Sequence, residues 1–113
     1  MVTTALEAAT VAAEDGQELE VLDLRTLSPL DMPTILASVR RTGRLIVVHE
    51  AQRSFSISAE VAARVQEQAF YSLEAPVMRV TGFDTQYPPS RLEEEWLPNV
   101  DRILDAVDRS LSY

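Results

Sequence analysis

At 113 residues, with 46% apolar and 25% charged side chains, the chain can hold one domain's core but no separate cofactor domain beside it. Its net charge of −8, from 18 acidic and 10 basic residues, argues against nucleic-acid backbones and for solubility or a basic partner. No apolar run approaches the roughly 18 residues of a bilayer span, no cysteine offers a disulfide or a thiol nucleophile, and Met1-Val2-Thr3-Thr4 is unlike a signal peptide; a cytoplasmic chain without a membrane role is expected.

Thr4 to Asp15 reads as a helix, with Thr4 and Glu7 spaced as a capping box, an apolar face of Ala5, Leu6, Ala9, Ala12 and Ala13, and Gly16 as its left-handed stop. Glu18 to Leu24 alternates Leu19, Val21, Leu22 and Leu24 with acids, a strand near a sheet edge. A turn at Arg25 to Leu30 follows. Asp31 is the N-cap of a second helix, Pro33 fits its first turn, Ile35, Leu36 and Val39 form its buried stripe, and Thr42-Gly43 closes it. Leu45 to Val48 is short, β-branched and without polar alternation, so it predicts the central and most buried strand, covered on both faces.

Beyond the polar segment Gln52 to Ser58 the period becomes helical at Val61, Ala62, Val65 and Ala69, with Ser58 or Ser56 as N-cap. Val77 to Val80 predicts another strand ending at Gly82. Phe83 to Ser90 is a loop, because Pro88-Pro89 supports neither a helix interior nor a ladder. Arg91 to Leu97 predicts a short acidic helix anchored by Trp96, and Asn99 caps a last helix carrying Val100, Ile103, Leu104, Val107 and Leu111. The alternation gives one α/β domain over residues 1–113, a three-layer α/β/α sandwich with a mainly parallel sheet and right-handed crossovers. Such a domain more naturally begins on a strand feeding the first helix, so a missing N-terminal strand or a smaller sheet is expected.

The common catalytic signatures are absent: three isolated glycines at 16, 43 and 82 make no phosphate-cradling loop, and neither a nucleophile elbow nor metal-ligand spacing occurs. No residue is assigned to catalysis, cofactor or metal binding. His49 and Glu50 sit where the central strand ends, the edge at which open α/β sheets carry their sites, but adjacent strand residues point to opposite faces and share a proton poorly. His49 therefore predicts a structural or interface role. Ser54, Ser56 and Ser58 predict caps and turns. The acids Glu93 to Glu95 predict a solvated helix face or a grip on a basic partner.

Several segments in order carry a resemblance: Val21 to Asp31 (VLDLRTLSPLD), Thr42 to Ala51 (TGRLIVVHEA), Leu73 to Val77 (LEAPV) with Arg79 to Gly82 and Asp84-Thr85, and Trp96 to Asn99 (WLPN). Together they resemble the C-terminal domain of transketolase-like enzymes. The match is nearest the beta subunit of the decarboxylating component of 2-oxo acid dehydrogenase complexes, of the pyruvate or branched-chain type. The resemblance implies thiamine diphosphate and magnesium in the whole enzyme, where a 2-oxo acid is decarboxylated and the acyl group passed to a lipoyl carrier, with no cofactor bound by this domain. It implies a homo-oligomer that also meets an alpha subunit and an acyltransferase core.

The resemblance also implies a piece of a longer subunit, inactive alone, whose domain begins before Met1 with a central strand. Where such domains carry a glycine-rich loop after His-Glu-Ala, this chain has Phe55, Ser56 and Ser58. Interface residues are expected at His49, Glu50, Glu74, Trp96 and Tyr113, with Glu74 and the carboxylate at Tyr113 facing a basic docking domain and Trp96 in a two-fold contact. A free-standing interaction module, or the same domain of a transketolase or deoxyxylulose-phosphate synthase, are the alternatives.

Overall fold

The computed structural model describes residues 1–113. Helix α1 spans Val2–Glu14, α2 Met32–Thr42, strand β1 Ile46–Val48, α3 Ile57–Ala69, β2 Met78–Val80, a one-turn α4 Glu93–Trp96, and α5 Val100–Leu111. β1 and β2 pair in parallel, Ile46 opposite Met78 and Val48 opposite Val80. Alternation along β1 sorts two cores. Leu45 and Val47 pack with Ile35, Leu36, Val39, Val61 and Val65 of α2 and α3, whereas Ile46 and Val48 pack with Ala8 of α1 and Ile103 and Ala106 of α5. Helices thus cover both faces of a parallel sheet, the three-layer α/β/α arrangement expected.

Capping set several boundaries as expected. The Asp31 carboxylate accepts from Thr34 N–H at 3.2 Å, Gly43 takes φ +76° while its N–H bonds Val39 O at 2.8 Å, and Asn99 Oδ1 accepts from Arg102 N–H at 2.9 Å. Gly16 likewise stops α1 at φ +80°.

Three expectations are corrected. α1 starts at Val2, so Thr4 lies inside its first turn and cannot cap it; Ala8 and Ala12 are the buried positions and Leu6 is exposed. Glu18 to Leu24 is not a strand: none of the N–H groups from Glu18 to Arg25 donates to a backbone oxygen, because no neighbouring strand lies within reach. β1 is half-buried throughout, while β2 buries Met78 and Val80. The most buried strand is therefore β2, since one edge of β1 opens on a groove.

Candidate functional site

The sequence-derived residues fall at opposite ends of the sheet. His49 and Glu50 follow the C-terminal end of β1, and Trp96 packs beside them, against Gly82 just past β2. Glu74 and Tyr113 line a second groove with Pro76 and the exposed rings of Phe70 and Tyr71, before β2 begins.

At the C-terminal end, the polypeptide leaves β1 through a loop locked to its neighbour. Asp84 accepts from Ser54 N–H at 2.8 Å and Ser54 Oγ at 2.7 Å, which holds its carboxyl below the usual carboxylate range. The Arg53 and Arg79 guanidiniums each donate to the other residue's carbonyl, at 3.1 and 3.2 Å. Between these clasps Phe55 takes φ +53° with its ring fully exposed. The loop thus adopts a left-handed residue without the glycine that would favour it.

His49 Nε2 lies 2.7 Å from Ser58 Oγ and 3.1 Å from Ser56 Oγ, and the two hydroxyls are 2.9 Å apart. Ser56 is the N-cap residue of α3, one of the two positions expected, but its hydroxyl bonds His49 and the Arg53 carbonyl rather than a helix N–H, while Ser58 lies inside the first turn. The cluster does not make a nucleophile. Ser58 is fully buried, and His49 Nδ1 has no hydrogen-bond partner, whereas an activated serine needs access and an orienting acceptor on the second ring nitrogen. Glu50 is exposed and does not bond His49.

Burial pushes the His49 pKa below its ordinary 6.5, the Arg79 charge adding to the effect. A histidine held neutral by the fold contributes its stability above about pH 6.5, the unfolded value, and loses it as pH falls through the depressed folded value. The urea midpoint should therefore drop between pH 7.5 and 5.5, and His49→Gln should flatten that drop. Asp31 and Asp84, whose carboxyls are held low by hydrogen bonds from Thr34 and Ser54, act only below about pH 4. A wild-type midpoint constant down to pH 5.5 would refute the assignment.

Trp96 is an internal anchor rather than a surface one. It is 8% exposed, its indole N–H donates to Thr85 Oγ1 at 2.9 Å, and the Tyr87 ring meets it edge-on at 5.0 Å. Most of its area is therefore covered within the chain. Glu93 accepts a hydrogen bond from Tyr87, pushing the phenol pKa up to about 12, so that acid braces the loop from within. Glu74 is exposed but paired with Arg44, and Tyr113 is largely exposed.

Sequence reasoning missed Arg102. It sits over the Phe83 ring at 4.8 Å and donates to the carbonyls of Trp96 and Thr81, tying α5 to the end of β2. Nothing in its spacing along α5 marked it.

The residues present do not fit magnesium. No group of three or more His, Asp or Glu side chains could hold a metal ion, and the space beside Gly82 is filled by Trp96 and the Glu50 carbonyl. No helix is long and apolar enough to cross a membrane.

A family model described as transketolase, C-terminal domain, matches residues 1–103. The chain belongs to the transketolase C-terminal domain family. Members similar to it include the pyruvate dehydrogenase E1 component subunit beta of Leifsonia xyli subsp. xyli, 59% identical over 113 residues, which are 100% of this chain and 34% of that protein. The 3-methyl-2-oxobutanoate dehydrogenase subunit beta of Mycobacterium tuberculosis is 56% identical over 112 residues, 98% of this chain and 32% of that protein. The pyruvate dehydrogenase E1 component subunit beta of Bacillus subtilis is 49% identical over 113 residues, 100% and 35%. This transketolase C-terminal domain thus spans about a third of the length of the curated relatives it matches. These three relatives are each named as a dehydrogenase beta subunit, none as a transketolase or a synthase.

Proposed function

We propose that the chain is the C-terminal assembly and docking domain of a thiamine-diphosphate-dependent 2-oxo acid dehydrogenase beta subunit, and that it performs no catalysis alone. The observation that carries this reading is the 59% and 56% identity, along nearly the whole chain, to beta subunits of pyruvate and 3-methyl-2-oxobutanoate dehydrogenases. The local chemistry agrees with it: the one Ser–His cluster has a fully buried Ser58 and no partner on His49 Nδ1, while Phe70, Tyr71 and Tyr113 leave aromatic surface exposed around a groove. Aromatic side chains are enriched at protein interfaces. In the whole enzyme the cofactor and magnesium belong to other domains, and this domain contributes contacts to a second copy, the alpha subunit and the acyltransferase core, in the cytoplasm.

Two measurements test the proposal. Calorimetry of the 113-residue chain with thiamine diphosphate and magnesium should give no saturable heat; micromolar binding would overturn the non-catalytic assignment. Sedimentation of the full-length subunit with its alpha subunit and acyltransferase core, with and without residues 1–113, should show the assembly lost in the deletion. An assembly of unchanged mass would remove the docking role.

A further inference from the structure

Three segments far apart in sequence wall the groove at the N-terminal end of the sheet: the end of α3 with Phe70 and Tyr71, the stretch Leu73 to Val77 ahead of β2, and Tyr113 beyond α5. They come from both helix layers, since α3 packs in the cluster with Leu45 and Val47 and α5 in the cluster with Ile46 and Val48. The first two walls are held by backbone: Leu73 N–H donates to Phe70 O at 3.1 Å, and Glu74 N–H to Gly43 O at 2.8 Å. The third wall is not. Ser112 and Tyr113 N–H groups donate only to carbonyls of α5 itself, Asp108 O at 3.0 Å and Ser110 O at 3.4 Å.

The one hydrogen bond from that last turn to the rest of the domain comes from Arg44, whose Nε–H donates to Ser110 O at 3.2 Å. The same guanidinium pairs through Nη1 with Glu74 Oε2. A guanidinium is a planar fork that serves two acceptors in fixed directions, whereas a lysine ammonium is a point charge on a flexible stem. Its charge also suits the carbonyl end of α5. Glu74 is confined from below as well, because its Cδ and Cγ lie 2.9 and 3.0 Å from where a Cβ on Gly43 would stand. The carboxylate is thus fixed but not used up. Glu74 is 63% exposed against 27% for Arg44, and its Oε1 accepts no hydrogen bond within the chain, although a carboxylate offers about four lone-pair sites.

We infer that Arg44 is a positioning residue acting through Glu74: anchored on the Ser110 carbonyl, it holds the Glu74 carboxylate among the groove's aromatic rings with Oε1 open to a lysine or arginine side chain of a partner. Charge and surface both select such an occupant. Glu74 is the one charged side chain lining the groove, in a chain of net charge −8, and the exposed rings of Phe70, Tyr71 and Tyr113 suit a cation and its aliphatic stem. Holding the acid in place beforehand removes the cost of ordering it on binding. The partner is a basic segment of the acyltransferase core; that source rests on the proposed docking role, whereas the clamp on Glu74 rests on the geometry alone.

A double-mutant cycle tests this on the full-length beta subunit assembled with its alpha subunit, with binding to the acyltransferase core followed by surface plasmon resonance at low and high salt. Glu74→Gln should weaken binding about tenfold and reduce its salt dependence. Arg44→Lys keeps the charge but loses the fork, and should weaken binding about fivefold through faster dissociation. In the Glu74→Gln background Arg44→Lys should cost less than about twofold more, because a residue acting through Glu74 then has nothing left to position. A residue that only braces the fold would give losses that add, and additive losses would overturn the inference. So would an Arg44→Lys variant that binds as wild type does beside a weakened Glu74→Gln, or no change in any of the three variants. Substitutions that weaken association of the beta subunit with itself, and not capture of the core, would assign the groove to a second copy and overturn it too. The docking role fails by a separate result, an assembly that survives deletion of residues 1–113.

Discussion

Gly82→Ala should lower the stability of the domain by about 3 kcal/mol, near the upper end for forcing extra atoms into a packed site. A Cβ at this position would lie 2.3 Å from Trp96 Cη2, 2.6 Å from Trp96 Cζ3 and 2.6 Å from the Glu50 carbonyl oxygen. The indole could tilt, but the Glu50 carbonyl is backbone, and Ala51 O next to it accepts the Gly82 N–H at 2.9 Å. Relief would therefore open the junction between the ends of β1 and β2. Trp96 is the one tryptophan, so its fluorescence reports the site directly during urea unfolding. Adding Trp96→Phe should recover only part of the loss, as the carbonyl contact remains. A midpoint equal to wild type in the single variant would show that the strand end yields freely.

Val65→Asp should leave the chain unfolded. Val65 has no exposed surface and sits in the cluster formed by α2 and α3. An unpaired carboxylate there costs several kcal/mol even after its pKa rises, a large part of the roughly 5–15 kcal/mol that holds a domain together. Val48→Asp should be milder, because Val48 is half-buried and borders the groove, where water can reach an ionised side chain. Circular dichroism of the two variants decides: an unfolded Val65→Asp beside a Val48→Asp that retains a cooperative transition is the expected pair. Equal loss in both would mean that the groove beside β1 is closed to water.

That contrast marks where the sequence was informative. The apolar run at Leu45 to Val48 correctly announced a strand between two helix layers, as did Asp31, Gly43 and Asn99 the limits of α2 and α5, because these are local rules of periodicity and capping. The run did not reveal how buried the strand is in this chain, since burial depends on what lies beside its edge. Glu18 to Leu24 has a strand's alternation and no ladder for the same reason: a strand exists only with a partner. α1 was misaligned because a surface of many alanines defines its face weakly. Among the candidate site residues, Glu74 and Tyr113 do share a groove. Trp96 and His49 instead turned inward, to Gly82 and Thr85 and to Ser56 and Ser58, long-range or loop-mediated pairings that spacing does not encode.

Phe55 remains as a lesson in what a loop asks of its tip. Ser54 is bound by Asp84, and Ser56 by the Arg53 carbonyl at 3.0 Å and by His49, so the residue between them is carried into the left-handed region by its neighbours rather than by its own preference. Its ring touches so little that identity and geometry are uncoupled at this one position. The chain has no cysteine, so a single thiol introduced there would be unique, outward-facing and on a backbone anchored at both sides. The position is thus a natural handle: a dye or spin label attached to it would report on the C-terminal edge of the sheet without entering the core.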